Sequence, residues 1–125
     1  MKLERELMRG AGPTAVLQLL STQSMYGYQL VETLAKQSNG VLAMGQSTLY
    51  PMLYNLEAKG LIEADWQEAP NGRKRKYYNL TGKGKKKLRA DLDAWKKLAG
   101  AMTNLGILPG NPDGNPAGGS IGVSA

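Results

Sequence analysis

Nine of the sixteen lysines and arginines in this chain lie between Ala69 and Ala90, a window that contains no aspartate or glutamate. The other residues carry seven basic and ten acidic side chains, so the formal charge of +6 is entirely local in origin. Unpaired Lys and Arg are costly to bury, and this window offers no carboxylate of its own to pair with them. It must run over the surface, whatever the rest of the chain does. A cationic cluster on an otherwise acidic body implies a polyanionic partner at one place.

The missing residue types narrow the chemistry further. Among 125 residues there is no Cys and no His, which removes disulfides, thiolate nucleophiles, imidazole relays and the common zinc sites. No metal or cofactor is expected. Glu57, Glu63, Asp65 and Glu68 form no convergent acid–base motif, so an enzyme is not expected either. The length suits one domain and a tail. No apolar run reaches the roughly 18 residues that span a bilayer, and Met1 to Gly10 is too charged for a signal peptide. A cytoplasmic chain without membrane contact is the expectation.

Apolar spacing supplies the elements. Leu3 to Arg9 has helical spacing through Leu3, Leu7 and Met8, and a buried helix begins near Pro13 and runs through Ala15, Val16, Leu17, Leu19 and Leu20 to Ser21. Pro13 suits a first helical position, and Gly10, Gly12 and Pro13 together predict a kink or break. A second helix is expected from Tyr26 to Ser38, with Leu30, Val31 and Leu34 on one face and Asn39-Gly40 as its stop. The third covers Gln46 to Lys59, with Leu49, Met52, Leu53 and Leu56 apolar, Ser47 or Thr48 as cap and Gly60 as terminator. Leu61 to Trp66 and Lys76 to Leu80 read as antiparallel strands joined by a loop containing Pro70, Asn71 and Gly72. In a last helix from Thr81 to Leu105, Leu88, Leu92, Trp95, Ala99 and Met102 recur at the seam period of a coiled coil. Gly106 to Ala125, with six Gly and three Pro, reads as a disordered tail.

The order describes a mainly α fold: a winged helix-turn-helix of three helices and a two-stranded β-hairpin wing over residues 1–80, a dimerisation helix over 81–105, and the tail over 106–125. The wing tip would be Asn71-Gly72-Arg73-Lys74-Arg75-Lys76, four consecutive cations on a turn that need an external anion. Lys83, Lys85, Lys86, Lys87 and Arg89 gather at the start of the last helix, where the macrodipole disfavours cations; they form either a phosphate site or a solvated face. Off its apolar stripe the third helix shows Ser47, Thr48, Tyr50, Pro51, Tyr54 and Asn55, neutral groups able to meet phosphate oxygens and base edges, although the tyrosines could instead pack as core. In a strand Tyr77 and Tyr78 must face opposite ways, so one of them is core. Trp95 lies on the seam, either as plain packing at a twofold interface or as an aromatic wall for a flat ligand. These features predict a homodimeric, sequence-specific regulator that binds double-stranded DNA. The alternative is an architectural or protein-binding winged helix that does not choose sequence.

Together these residues resemble the PadR-like transcriptional regulators. The likeness rests on Arg9-Gly10 with Leu17, Leu19 and Leu20; on Tyr26-Gly27-Tyr28; on Thr48-Leu49-Tyr50-Pro51 with Leu53, Leu56, Glu57, Gly60, Leu61 and Ile62; and on Gly72 to Tyr78 with Leu80-Thr81 and Gly84. It spans residues 3 to 105. The resemblance implies a homodimeric repressor whose operator contacts come from Ser47, Thr48, Tyr50, Pro51 and Tyr54 and from Arg73, Lys74, Arg75 and Lys76. It also implies an effector site, with Trp95 stacking on planar compounds between subunits and Gln18 at a matching first-helix position. Two departures stand out: Gly12-Pro13 interrupts a helix that the family often runs unbroken, and Ala99 stands where a drug-sensing member carries an acidic group.

Overall fold

The computed structural model of the chain describes residues 3–110. Its elements are α1 (Arg5–Thr22), β1 (Met25–Tyr26), α2 (Gly27–Gln37), α3 (Gln46–Ala58), β2 (Ile62–Glu68), β3 (Lys74–Leu80) and α4 (Gly82–Asn104). The strands form one antiparallel sheet in the order β1-β3-β2. This is a winged helix-turn-helix, in which α2 and α3 are the helix pair and β2-β3 the wing. The chain divides into two compact units, Met1–Leu88 and Arg89–Ala125.

The expected break in the first helix does not occur: α1 runs from Arg5 to Thr22 with Pro13 inside it. An interior proline forfeits a backbone bond and crowds the preceding turn, at a cost of about 3 kcal/mol. Burial on both sides of it wins. Met8 and Gly12 are buried before Pro13, and Val16, Leu17, Leu19 and Leu20 after it, and a fully buried aliphatic side chain gains roughly 1.5–3 kcal/mol. Gly12 also has a packing role, since a Cβ there would lie 2.7 Å from Met52 Cε of α3.

A third strand appears where the second helix was expected to begin. Met25 and Tyr26 pair with Tyr78 and Tyr77 of β3, so α2 starts one residue later, at Gly27. Two residues have too little periodicity to be read as a strand from sequence. Neither Ser47 nor Thr48 caps α3, whose N-cap is Gly45 with no side-chain bond. Its C-terminus closes as expected at Gly60 (φ 75), with Gly60 N–H donating to Glu57 O at 2.9 Å and Leu61 N–H to Leu56 O at 3.0 Å, the double bond of a Schellman motif.

Most deeply buried are Val16, Leu17, Met25, Leu30, Leu49, Leu53 and Ile62, which join α1, α2, α3 and the sheet into one core. Of the tyrosine pair in β3, Tyr78 is the buried member. Thr81 ties α4 to this core: its Oγ1 accepts from Gly84 N–H at 2.9 Å and donates to Gly60 O at 2.7 Å. In the second unit Trp95, Leu98 and Leu105 of α4 and its flank are exposed. At the start of the expected tail Gly106 (φ 82) closes α4, and Ile107 N–H bonds Met102 O at 2.8 Å. Residues 111–125 of that tail lie outside the described residues.

Candidate nucleic-acid interface

The third helix presents its polar residues in two directions. Tyr50, Tyr54 and Glu57 recur at four and three and so share one side, which looks toward the wing, since Glu57 Oε1 lies 3.8 Å from Lys76 Nζ of β3. Tyr54 is 72% exposed. Tyr50 is partly committed to packing, because its ring lies against the backbone of Gly27, where a Cβ would come within 2.7 Å of the ring edge. Thr48, Pro51 and Asn55 turn the other way and line an open cleft of about 740 Å³ with Arg5, Arg9 and Lys59. Ser47, in the first turn, is exposed.

The wing strands are longer than expected, and the turn between them, at the expected residues, is correspondingly tighter. Pairing continues to Glu68↔Lys74, and the reversal is made by Pro70, Asn71 and Gly72 (φ 83), with Gly72 N–H on Ala69 O at 2.9 Å and Ala69 N–H on Arg73 O at 2.7 Å. Three of the four cations, Lys74, Arg75 and Lys76, therefore lie in β3 rather than on the turn. Alternation then splits them between faces. Lys74 and Lys76 share a face with Trp66, Tyr78 and Ile62, and Arg75 shares the opposite face with Tyr77 and Tyr26.

The wing cations are also not all without internal partners, because a carboxylate and an aromatic ring from outside their window reach two of them. Lys76 pairs loosely with Glu57 and lies 5.5 Å from the Tyr78 ring centroid. Arg75 stacks on Tyr26 at 4.3 Å, and Tyr26 meets Tyr77 edge-on at 5.5 Å. Arg73 and Lys74 are exposed at the tip. Burial pushes the Tyr78 phenol above its ordinary value, the Lys76 ammonium pulls it back, and Glu57 and Tyr50 push it up again.

At the start of α4, Lys83, Lys85, Lys86, Lys87 and Arg89 are all exposed. One of them has a folding role that the sequence did not disclose. Lys83 Nζ donates to Lys59 O at 2.8 Å, which puts an ammonium on the C-cap of α3, where the macrodipole favours a cation. Gln18, exposed on α1, belongs to the first unit, and Trp95, 41% exposed on α4, to the second. Among the described residues no group of three acidic, His or Cys side chains gathers as a metal site, and no helix is long and apolar enough to cross a membrane.

Sequence reasoning missed three contributors. Tyr26 was placed in a helix, and only its pairing with Tyr77 reveals it as the platform for Arg75. Glu57 enters the sequence reading only as a carboxylate without an acid–base motif and as part of the family likeness, although its spacing from Tyr50 and Tyr54 puts it on their side of α3. Trp66 was read simply as a strand end; it is 66% exposed and lies opposite Lys76 on the face that looks toward α3.

Comparison with known proteins agrees with this architecture. The sequence model of the transcriptional regulator PadR-like family matches residues 16–90. Transcriptional regulator Rv3488 of Mycobacterium tuberculosis is 33% identical over 95 residues, which cover 76% of this chain and 85% of that protein. The crystal structure of a PadR-like transcriptional regulator from Bacillus cereus superposes with a TM-score of 0.73 at 28% identity, covering 80% of this chain and 95% of that one. Bacillus subtilis PadR in complex with operator DNA superposes with a TM-score of 0.60 at 26% identity, covering 66% of this chain and 46% of that one. With its helix pair, its basic wing and these relatives, the chain belongs to the PadR-like family of transcriptional regulators.

Proposed function

We propose that the chain is a sequence-specific DNA-binding repressor that acts as a homodimer and is released from its operator by a small planar effector. The observation that carries DNA binding is the juxtaposition of two different surfaces. One is the neutral, hydroxyl-rich exterior of α3, with Ser47, Thr48, Tyr50, Pro51 and Tyr54 able to meet base edges and phosphates. The other is the wing, whose Arg73 and Lys74 are exposed while Arg75 and Lys76 are oriented by Tyr26 and Glu57. The relative from Bacillus subtilis, which superposes on this chain, is in complex with operator DNA, which supports the assignment.

Dimerisation is supported by α4 and its flank, where Trp95, Leu98 and Leu105 expose apolar surface. A twofold dimer presents two α3 helices to half-sites about one helical turn apart. An effector stacking on Trp95, with Gln18 as the other residue that the family resemblance assigns, would favour a dimer geometry in which the two helices no longer match that spacing.

The test is a gel-shift titration of the chain on the DNA preceding its own gene, against a scrambled duplex of equal length, with mass by light scattering. A dimer that prefers the promoter DNA supports the proposal. Equal affinity for both duplexes favours a module without sequence choice. Tyr54→Ala should weaken promoter binding more than random binding, whereas Tyr50→Ala should also lower thermal stability, because the Tyr50 ring fills the space above Gly27.

A further inference from the structure

We infer that Trp66 is a DNA-backbone contact, seating the duplex in the notch between the wing and α3 by apolar packing rather than by charge. The inference rests on the DNA-binding reading above and adds to it a residue outside both assigned clusters.

Trp66 stands directly opposite Lys76 in the β2-β3 register, so their side chains leave the sheet on the same face. That face looks toward α3, since Lys76 reaches Glu57 there. On α3, Tyr54 precedes Glu57 by one helical step on the same side and is 72% exposed. The notch thus has the Glu57–Lys76 pair as its floor and an exposed aromatic side chain belonging to each wall, Tyr54 on the helix and Trp66 on the wing. Two exposed aromatic rings flanking a cation are a poor design for water alone, because a 66% exposed Trp keeps most of its apolar area hydrated.

A helix in the major groove and a wing at the neighbouring minor groove must be separated by one sugar–phosphate strand. That strand is amphipathic in the required sense: phosphates meet Lys76 and the Lys74 ammonium on the same face, and the deoxyribose edges are apolar enough to cover an indole. Covering roughly 100 Å² of indole, less the cost of ordering, should make Trp66→Ala weaken binding by about tenfold, or about 1.4 kcal/mol. Because no counterion is released, the salt slope should not change, in contrast to a lysine contact. The loss should be similar on promoter and random duplexes, since sugar edges carry little sequence information.

The experiment uses the full native chain, whose two tryptophans are Trp66 and Trp95, beside the Trp66→Phe chain, so that the difference between them reports Trp66. Its emission and acrylamide quenching are followed while a labelled promoter duplex reports binding by anisotropy. Protection of Trp66 from acrylamide on saturation, together with a tenfold loss and an unchanged salt slope for Trp66→Ala in the otherwise native chain, is the expected result. If anisotropy shows binding while Trp66 stays equally quenchable, or if Trp66→Ala binds as tightly as the native chain, the inference fails and the DNA-binding reading stands. A Trp66→Ala chain that melts several degrees lower would make the residue structural and would also overturn it. Absence of any duplex binding by the native chain overturns both.

Discussion

Replacing Gly84 by alanine tests how closely α4 must approach the wing. In a helix interior this change ordinarily stabilises by about 1 kcal/mol, because alanine restricts the unfolded chain and suits the helix. At Gly84 the sign should reverse. A Cβ there would overlap Leu61 O and lie 2.7 Å from Leu80 Cδ1. Leu61 O cannot give way freely, for it accepts Thr81 N–H at 3.1 Å and shares the Thr81 hydroxyl proton with Gly60 O. Relief requires shifting the first turn of α4 or the start of β2, and forcing an extra methyl into a packed site costs typically 1–3 kcal/mol, more where backbone must move. Setting roughly 2–4 kcal/mol of overpacking against about 1 kcal/mol of propensity leaves a net loss of about 1–3 kcal/mol. The melting temperature should fall by roughly 5–20 °C, read by circular dichroism at fixed protein concentration, since the stability of any self-associating chain depends on it. Gly10→Ala on α1 is the control: nothing lies within 4 Å of its Cβ position, and it should gain slightly. A Gly84→Ala chain melting at or above the native temperature would refute this account of the junction.

Other perturbations separate the roles of the wing residues. Arg73→Ala or Lys74→Ala should each reduce the slope of log affinity against log salt by about 1 per protomer, read by anisotropy between 50 and 200 mM salt. Arg75→Ala should cost about 0.5–1 kcal/mol of folding stability as well, because its guanidinium stacks on Tyr26; urea midpoints check it. Tyr78 binds its proton more tightly folded than unfolded, so its contribution to stability is present below pH 10 and lost as pH rises through the raised folded value. The native chain should therefore lose stability faster than Tyr78→Phe above about pH 10. Glu57→Gln should raise affinity for any duplex a few-fold, measured by the same anisotropy titration, and a fall would assign Glu57 to holding the wing in place.

Those features of the fold that rest on repeated spacing were legible in the sequence. Leu49, Leu53 and Leu56 fix α3 to within a residue at either end, and Gly60 marks its close because only a left-handed position makes the Schellman bonds there. What the spacing could not carry depends on residues distant in the chain. Pro13 sits inside a helix because Met52 and the buried residues on both sides hold it; the two-residue β1 exists only as a partner for Tyr77 and Tyr78; and the wing strand extends to Lys74 because Glu68 lies across from it. The basic window was read correctly as surface, yet its partners were not: Tyr26 and Glu57 precede it by many residues, and Lys83 serves a helix end that closes 24 positions earlier.

Internal contacts on the wing do not remove its field. The Glu57–Lys76 pair spans 3.8 Å between side chains 38% and 40% exposed, and exposed pairs contribute only about 0–1 kcal/mol. Arg75 on Tyr26 keeps its full charge, because a ring quadrupole attracts a cation without neutralising it. These contacts instead fix where the charges point, reducing the rotamer freedom that binding would otherwise have to remove. Glu57 has a second effect. A carboxylate about 8 Å from a phosphate repels it by roughly 0.5 kcal/mol in water, a small penalty on every duplex that leaves base-edge contacts from α3 a larger share of the discrimination. A regulator that must leave non-cognate DNA gains from such a penalty, which gives a physical reason for an acidic residue on the wing side of the helix proposed above to read sequence.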